Sequence, residues 1–123
     1  MAEKKILLVD DEPFNMELAK DLLEVAGFMV CEATNANEAI EQAKQAKFDL
    51  ILMDVQLPGM DGLTATKIIK DDSMNRDTPI VALTAYAMKG DKERIESGGC
   101  DGYITKPINT KEFAQSVAGF LRS

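Results

Sequence analysis

Three short apolar runs each stop at a charged residue. Lys5-Ile6-Leu7-Leu8-Val9 stops at Asp10-Asp11, Leu50-Ile51-Leu52-Met53 stops at Asp54, and Tyr103-Ile104-Thr105 stops at Lys106-Pro107. If these runs are strands lying parallel in one sheet, three carboxylates and one ammonium meet at its carboxyl edge. Adjacent carboxylates in a sheltered place repel one another and attract a cation. Magnesium suits such a site, because it prefers oxygen ligands and keeps several waters, so a few protein oxygens suffice. An aspartate ending a very apolar strand beside that cation, as Asp54 does, can attack phosphorus and form an acyl phosphate. The Lys106 ammonium can neutralise a phosphoryl oxygen as a point charge. Thr84, at the end of a fourth run, offers a hydroxyl that can donate to another. Each residue also has a plainer reading. Asp10-Asp11-Glu12-Pro13 suits the cap of a helix, Asp54 a turn, Lys106 an ordinary surface position, and Thr84 a common strand end. The weight lies in their joint placement.

Elements of the right kind are present to position them. Strand-like runs alternate with helical patterns, which marks a parallel sheet covered on both faces. Ile6–Val9 is continuously apolar, as a strand buried on both faces should be. A helix is expected from Asn15 to Ala26, with Leu18, Leu22 and Val25 as the inward stripe, Pro13 just before it and Gly27 ending it. Met29–Ala33 reads as the second strand, and Asn35–Ala46 as a helix with Ala36, Ala39, Ile40 and Ala43 inward. Asp49–Asp54 is the third strand. The turn-rich loop Val55–Gly62 and a helix packed through Leu63, Thr66, Ile69 and Ile68 follow it. Pro79–Thr84 is the fourth strand, with proline at its tolerated first position. Lys89–Glu96 reads as a short charged helix, Tyr103–Thr105 as part of the fifth strand, and Thr110–Leu121 as a last helix facing inward with Phe113, Val117, Phe120 and Leu121. The expected architecture is α/β: a doubly wound, flavodoxin-like sheet of five parallel strands in the order 2-1-3-4-5 with five helices. Such sheets bind ligands beyond the carboxyl ends of their strands, where strand order reverses.

The bulk composition narrows the classes. A chain of 123 residues with 46% apolar residues suits one folded domain, expected to span residues 1–123. A net charge of −7 argues against direct nucleic-acid binding, which normally needs a basic face. Two isolated cysteines, Cys31 and Cys100, and no histidine remove zinc sites and histidine-based triads, and suggest reduced thiols in a cytoplasmic setting. The start Met1-Ala2-Glu3-Lys4-Lys5 runs straight into a strand, so neither a signal peptide nor membrane insertion is expected.

The spacing of Asp10-Asp11, Asp54, Thr84-Ala85 and Lys106-Pro107 resembles that of the response-regulator receiver domain, over essentially the whole chain from Lys5 to Leu121. Met53-Asp54-Val55-Gln56-Leu57-Pro58-Gly59-Met60-Asp61-Gly62 is similar to that family's phosphorylation-site loop. Leu83-Thr84-Ala85-Tyr86-Ala87-Met88-Lys89-Gly90-Asp91 also looks like single-domain regulators of the DivK type and receiver domains of hybrid kinases. The resemblance implies that Asp54 accepts phosphate from a phosphohistidine on a histidine kinase or histidine phosphotransfer protein. It implies Mg2+ (or Mn2+) held by Asp11, Asp54 and the Gln56 backbone carbonyl, with Asp10 acting directly or through water. Thr84 and Lys106 would contact the phosphoryl group, and Tyr103 would be an aromatic switch coupled to Thr84. The surface of the fourth helix, fifth strand and fifth helix would then control binding of a downstream protein target. Phe14 and Ile108 are expected where the phosphate donor docks, and Tyr86 at the mouth of the site, limiting attacking water. A monomer is expected. The alternatives within the family are a receiver cut from a larger hybrid kinase or response regulator, or a phosphorelay intermediate.

Two other classes fit less well. A phosphatase of the haloacid-dehalogenase type needs a second carboxylate two residues after the nucleophile, and that position is Gln56. The chain is therefore expected to catalyse only its own phosphorylation and dephosphorylation. A flavin-binding protein of this topology needs a phosphate-cradling loop after the first strand, where Asp10, Asp11 and Glu12 would repel phosphate.

Overall fold

The computed structural model describes residues 4–55, 57, 59–60, 62–71, 74–84, 93, 95–106 and 108–121. Its strands are β1 (Lys5–Val9), β2 (Met29–Ala33), β3 (Leu50–Asp54), β4 (Ile80–Thr84) and β5 (Gly102–Thr105). All pairings are parallel and the order is β2-β1-β3-β4-β5. The helices are α1 (Pro13–Val25), α2 (Ala36–Gln45) and α3 (Gly62–Asp71), then α4, helical at residues 93 and 95–97, and α5 (Phe113–Phe120).

Successive strand side chains point to opposite faces, so each apolar strand feeds two cores. Leu7, Val9, Ile51, Met53, Ile80 and Ala82 pack on one face with Ala39 and Ala43 of α2, Ala65 and Ile69 of α3, and Ile95 of α4. Ile6, Leu8, Leu50, Leu52, Val81 and Leu83 pack on the other with Met16, Ala19 and Leu23 of α1 and Phe113 and Val117 of α5. Every residue of β3 and β4 is buried, which explains their unbroken apolar runs.

The inward face of α1 differs from the expected stripe. Met16, Ala19 and Leu23 are buried, Leu18 and Leu22 only partly so, and Val25 is 89% exposed. Two apolar stripes coexist on this helix. The one that meets the sheet includes a small residue, Ala19, where helix and strands come close. Gly27 ends the helix as expected, with a φ of 97° that other residues rarely adopt. The other boundaries that fall on described residues agree to within a few residues, α5 beginning at Phe113 after turn residues 110–112, while the expected start of the fourth helix at Lys89 lies outside the described residues.

A buried polar knot fixes the amino edge of the sheet. Asn75 is fully buried, and its Nδ2 donates to Ala43 O at 2.7 Å and Ala46 O at 2.8 Å. Its Oδ1 accepts from Phe48 N at 2.8 Å, and the Thr78 hydroxyl lies 2.9 Å from that Oδ1 and 3.1 Å from Phe48 O. The end of α2 and the entries to β3 and β4 are thereby tied together. With β3 anchored at its start, the position of its last residue, Asp54, is set at the other edge.

Candidate phosphoacceptor and metal site

The carboxyl edge collects what the sequence places at strand ends. Asp10 follows β1 directly, and its amide donates to Ala33 O at 3.1 Å, which keeps it in sheet register. Asp54 is the last residue of β3, on the strand next to β1 and at the point where strand order reverses. Val9 pairs with Met53, so the two aspartates emerge side by side. Asp11 is exposed at the rim, whereas Asp10 and Asp54 are buried, at 1% and 4% exposure. One carboxylate oxygen from each of Asp10, Asp11 and Asp54 lies within 4.8 Å of the others.

Two buried carboxylates need compensation, and Lys106 supplies it. Its Nζ lies 3.1 Å from Asp10 Oδ2 and 3.0 Å from Asp54 Oδ2. Lys106 follows β5, and its amide donates to Thr84 O at 2.7 Å, which anchors the lysine backbone to the end of β4. Burial acts to lower the Lys106 pKa. The hydrogen bond and charge of Asp54, with those of Asp10, outweigh it and hold the ammonium above its ordinary value. Three carboxylates against one ammonium leave the cluster short of positive charge. The oxygen-only donor set, two members buried and one open to water, fits a hard divalent cation that keeps part of its hydration shell.

The expected cap of α1 falls on Glu12 rather than on an aspartate. Its carboxylate accepts from Asn15 N at 2.8 Å, and Pro13 occupies the first helical turn. Asp10 Oδ1 accepts from Glu12 N at 3.0 Å. Capping therefore occupies neither Asp11 nor the Asp10 oxygen facing Lys106, and the helix-cap and metal readings of the acidic run hold together.

Thr84 is buried at the end of β4. By strand alternation its side chain shares a sheet face with Ala82, which pairs with Tyr103 of β5. Tyr103 is half-buried against the core on that face. Asp54 pairs with Leu83, so Thr84 lies one residue beyond it at the same carboxyl edge, and the Lys106 amide donates to the Thr84 carbonyl. Phe14, in the first turn of α1, is 70% exposed, and with Glu17, Leu18 and Asp21 it lines a shallow hollow. Ile108 is half-buried and packs on the α1–α5 core, so it is partly a structural residue. Gln56 and Tyr86, expected as a metal ligand and as a shield, lie outside the described residues, as do Ala85 and Pro107. Gly62, placed by the sequence in a loop, is instead the first residue of α3 and donates its amide to Val55 O at 3.1 Å. No periodic signal marks it. Of the two thiols, Cys100 is buried and its pKa is pushed up by desolvation.

Known proteins resemble this chain. The family model described as the response regulator receiver domain matches residues 6–118. The polar-differentiation response regulator DivK of Brucella anthropi is 45% identical over 118 residues, 96% of each chain, and that of Brucella ovis is 44% identical over the same share. Among solved structures, chemotaxis protein CheY4 of Vibrio cholerae superposes with a TM-score of 0.92 at 31% identity, covering 98% of this chain and 100% of that one. The receiver domain of sensor histidine kinase PA1611 of Pseudomonas aeruginosa, described with a magnesium ion coordinated in the active site cleft, has a TM-score of 0.88 at 34% identity, covering 97% and 98%. No helix among the described residues is long and apolar enough to cross a membrane. The acidic strand ends, the strand order and these likenesses agree, and the chain belongs to the response regulator receiver domain family of two-component systems.

Proposed function

We propose that this chain is a phosphoacceptor switch in which Asp54 takes a phosphoryl group from a phosphohistidine of a histidine kinase or histidine phosphotransfer protein. The observation that carries this is the bridge of Lys106 across Asp10 and Asp54, with Asp11 completing the acidic cluster. An Asp54 carboxylate oxygen forms the bond to phosphorus. The bond from phosphorus to the donor imidazole nitrogen breaks, and its electron pair stays with the imidazole, which takes up a proton. Asp10, Asp11, Asp54 and the main-chain carbonyl of Gln56 would hold magnesium (or manganese), which supplies charge neutralisation for the phosphoryl oxygens when bound. Lys106 pairs with the added negative charge and Thr84 donates its hydroxyl to it. Movement of Thr84 opens space for Tyr103, and the surface of α4, β5 and α5 changes for a downstream protein target. The chain acts as a cytoplasmic monomer and regulator whose catalysis is confined to its own phosphorylation and dephosphorylation.

Acetyl phosphate with magnesium should label Asp54 and nothing else. Mass spectrometry should find one labile phosphoryl adduct, absent from Asp54→Asn; a main adduct persisting elsewhere in that variant would sink the assignment. A second reading, the receiver unit of a longer kinase or a phosphorelay intermediate, draws on the likeness to the PA1611 receiver. Transfer of label onward from Asp54 to a histidine phosphotransfer protein distinguishes it.

A further inference from the structure

We propose that Gly62 is a positioning residue for Asp54: lacking a Cβ, it lets the first turn of α3 seat against the Asp54 carbonyl and fix where β3 delivers its last side chain. This rests on Asp54 being the phosphoacceptor. A Cβ built on Gly62 would overlap the Asp54 carbonyl oxygen and lie 2.9 Å from the carbonyl carbon and 3.0 Å from Met53 Cγ. The first two of these atoms are main chain and cannot swing aside as a side-chain tip can. Both partners are also anchored. Val55 N donates to Leu83 O at 3.0 Å, holding the end of β3 on β4, and Gly62 N donates to Val55 O. Thr66, fully buried, donates its hydroxyl to Gly62 O at 2.8 Å, and the Cys100 thiol lies 3.9 Å from that hydroxyl. The first turn of α3 is thus held to the strand by Gly62 N and braced within the helix by Thr66.

Backbone conformation does not explain the glycine. Gly27, Gly59 and Gly99 have positive φ and Gly62 does not, so alanine would suit its geometry and favour the helix. Two other glycines sharpen the contrast. The nearest atoms to a Cβ on Gly102 belong to the Phe120 ring, a side chain, and one on Gly119 would meet nothing within 4 Å. At Gly62 the neighbour is the backbone of the residue whose carboxylate must meet phosphorus, and misplacing a reacting group by about 1 Å can cost roughly 100-fold in rate.

The test compares wild type, Gly62→Ala and Gly119→Ala for acetyl-phosphate labelling of Asp54 at saturating magnesium, with magnesium affinity measured in parallel. Each is assayed well below its melting temperature, with folding checked by circular dichroism. Gly62→Ala should label roughly 10- to 100-fold more slowly and bind magnesium more weakly, while Gly119→Ala matches wild type. Wild-type rate and affinity in a folded Gly62→Ala protein overturn the proposal. Should that variant not fold, Thr66→Val and Thr66→Ser decide: slow labelling in the first with wild-type labelling in the second supports the proposal, and equal rates in both overturn it. Asp54→Asn runs alongside, and label surviving there undoes the phosphoacceptor assignment without bearing on Gly62.

Discussion

Asp10 and Asp54 are held almost out of water a few ångströms apart, with one ammonium between them and a third carboxylate at the rim. The local sum of −2 works against the folded state. Asp54→Asn should therefore stabilise the protein when no metal is present, by on the order of 1–3 kcal/mol for one relieved net repulsion at short range. That corresponds to a rise in Tm of about 4 °C per kcal/mol for a chain of this size. Excess magnesium should narrow or reverse the gap, because wild type gains more from binding. Thermal melts in chelator and in magnesium check both halves, and a chelator melt in which Asp54→Asn unfolds first contradicts the electrostatic picture. The neighbours Asp11 and Glu12 should separate in kind. Asp11→Ala should weaken magnesium binding markedly, since few protein oxygens hold that ion. Glu12→Ala should leave metal affinity nearly unchanged and cost about 1 kcal/mol of stability through the lost cap. Calorimetric titration paired with denaturant melts decides, and equal affinity losses would count against this division of labour.

At the scale of elements, α1 carries two duties on two faces. Met16, Ala19 and Leu23 hold it to the sheet, while Phe14 stands exposed beside the acidic edge. Phe14→Ala should slow transfer from a cognate phosphohistidine donor about 10-fold, the loss typical of a buried anchor at an interface, and leave stability and acetyl-phosphate labelling nearly unchanged. Ile108→Ala should slow transfer too but also lower stability by about 1–2 kcal/mol, because Ile108 packs on the α1–α5 core. Loss of acetyl-phosphate labelling in Phe14→Ala would place that residue in the site rather than at its rim. The strands were legible because a doubly buried strand writes itself as an apolar run, and the site because its charges interrupt those runs. The face of α1 was not, since Leu18-Leu22-Val25 and Met16-Ala19-Leu23 both satisfy helical periodicity and only the sheet chooses between them. Nor was Asn75, since a polar residue in a loop reads as a turn. Gly62 hides for another reason: its importance lies in an atom it lacks.

Across the whole molecule, the carboxyl edge of the sheet joins the chemistry to its readout. Asp54 and Lys106 meet there, Thr84 lies one residue past the β4 partner of Asp54, and Tyr103 packs on the core under α2 and α3. Thr84→Ala should accordingly leave Asp54 able to take phosphate while blunting the response at β5 and α5. Amide chemical shifts of the beryllofluoride-activated protein report this, and full wild-type shifts at Tyr103 and α5 in Thr84→Ala would refute the coupling. The Asn75 knot bears on how the molecule opens. It closes the chain between residues 43 and 78 on itself through buried hydrogen bonds that join Asn75 to Ala43, Phe48 and Thr78. Native-state hydrogen exchange should therefore show a hierarchy, in which the edge strands β2 and β5 release their amides first and the amides of β3 and β4 exchange last, as one cooperative unit. Asn75→Ala should dissolve that unit, so that the β3 amides exchange through a smaller, separate opening. The floor of the sheet would then act as the molecule's memory of its fold, leaving the acidic rim free to be the part that changes.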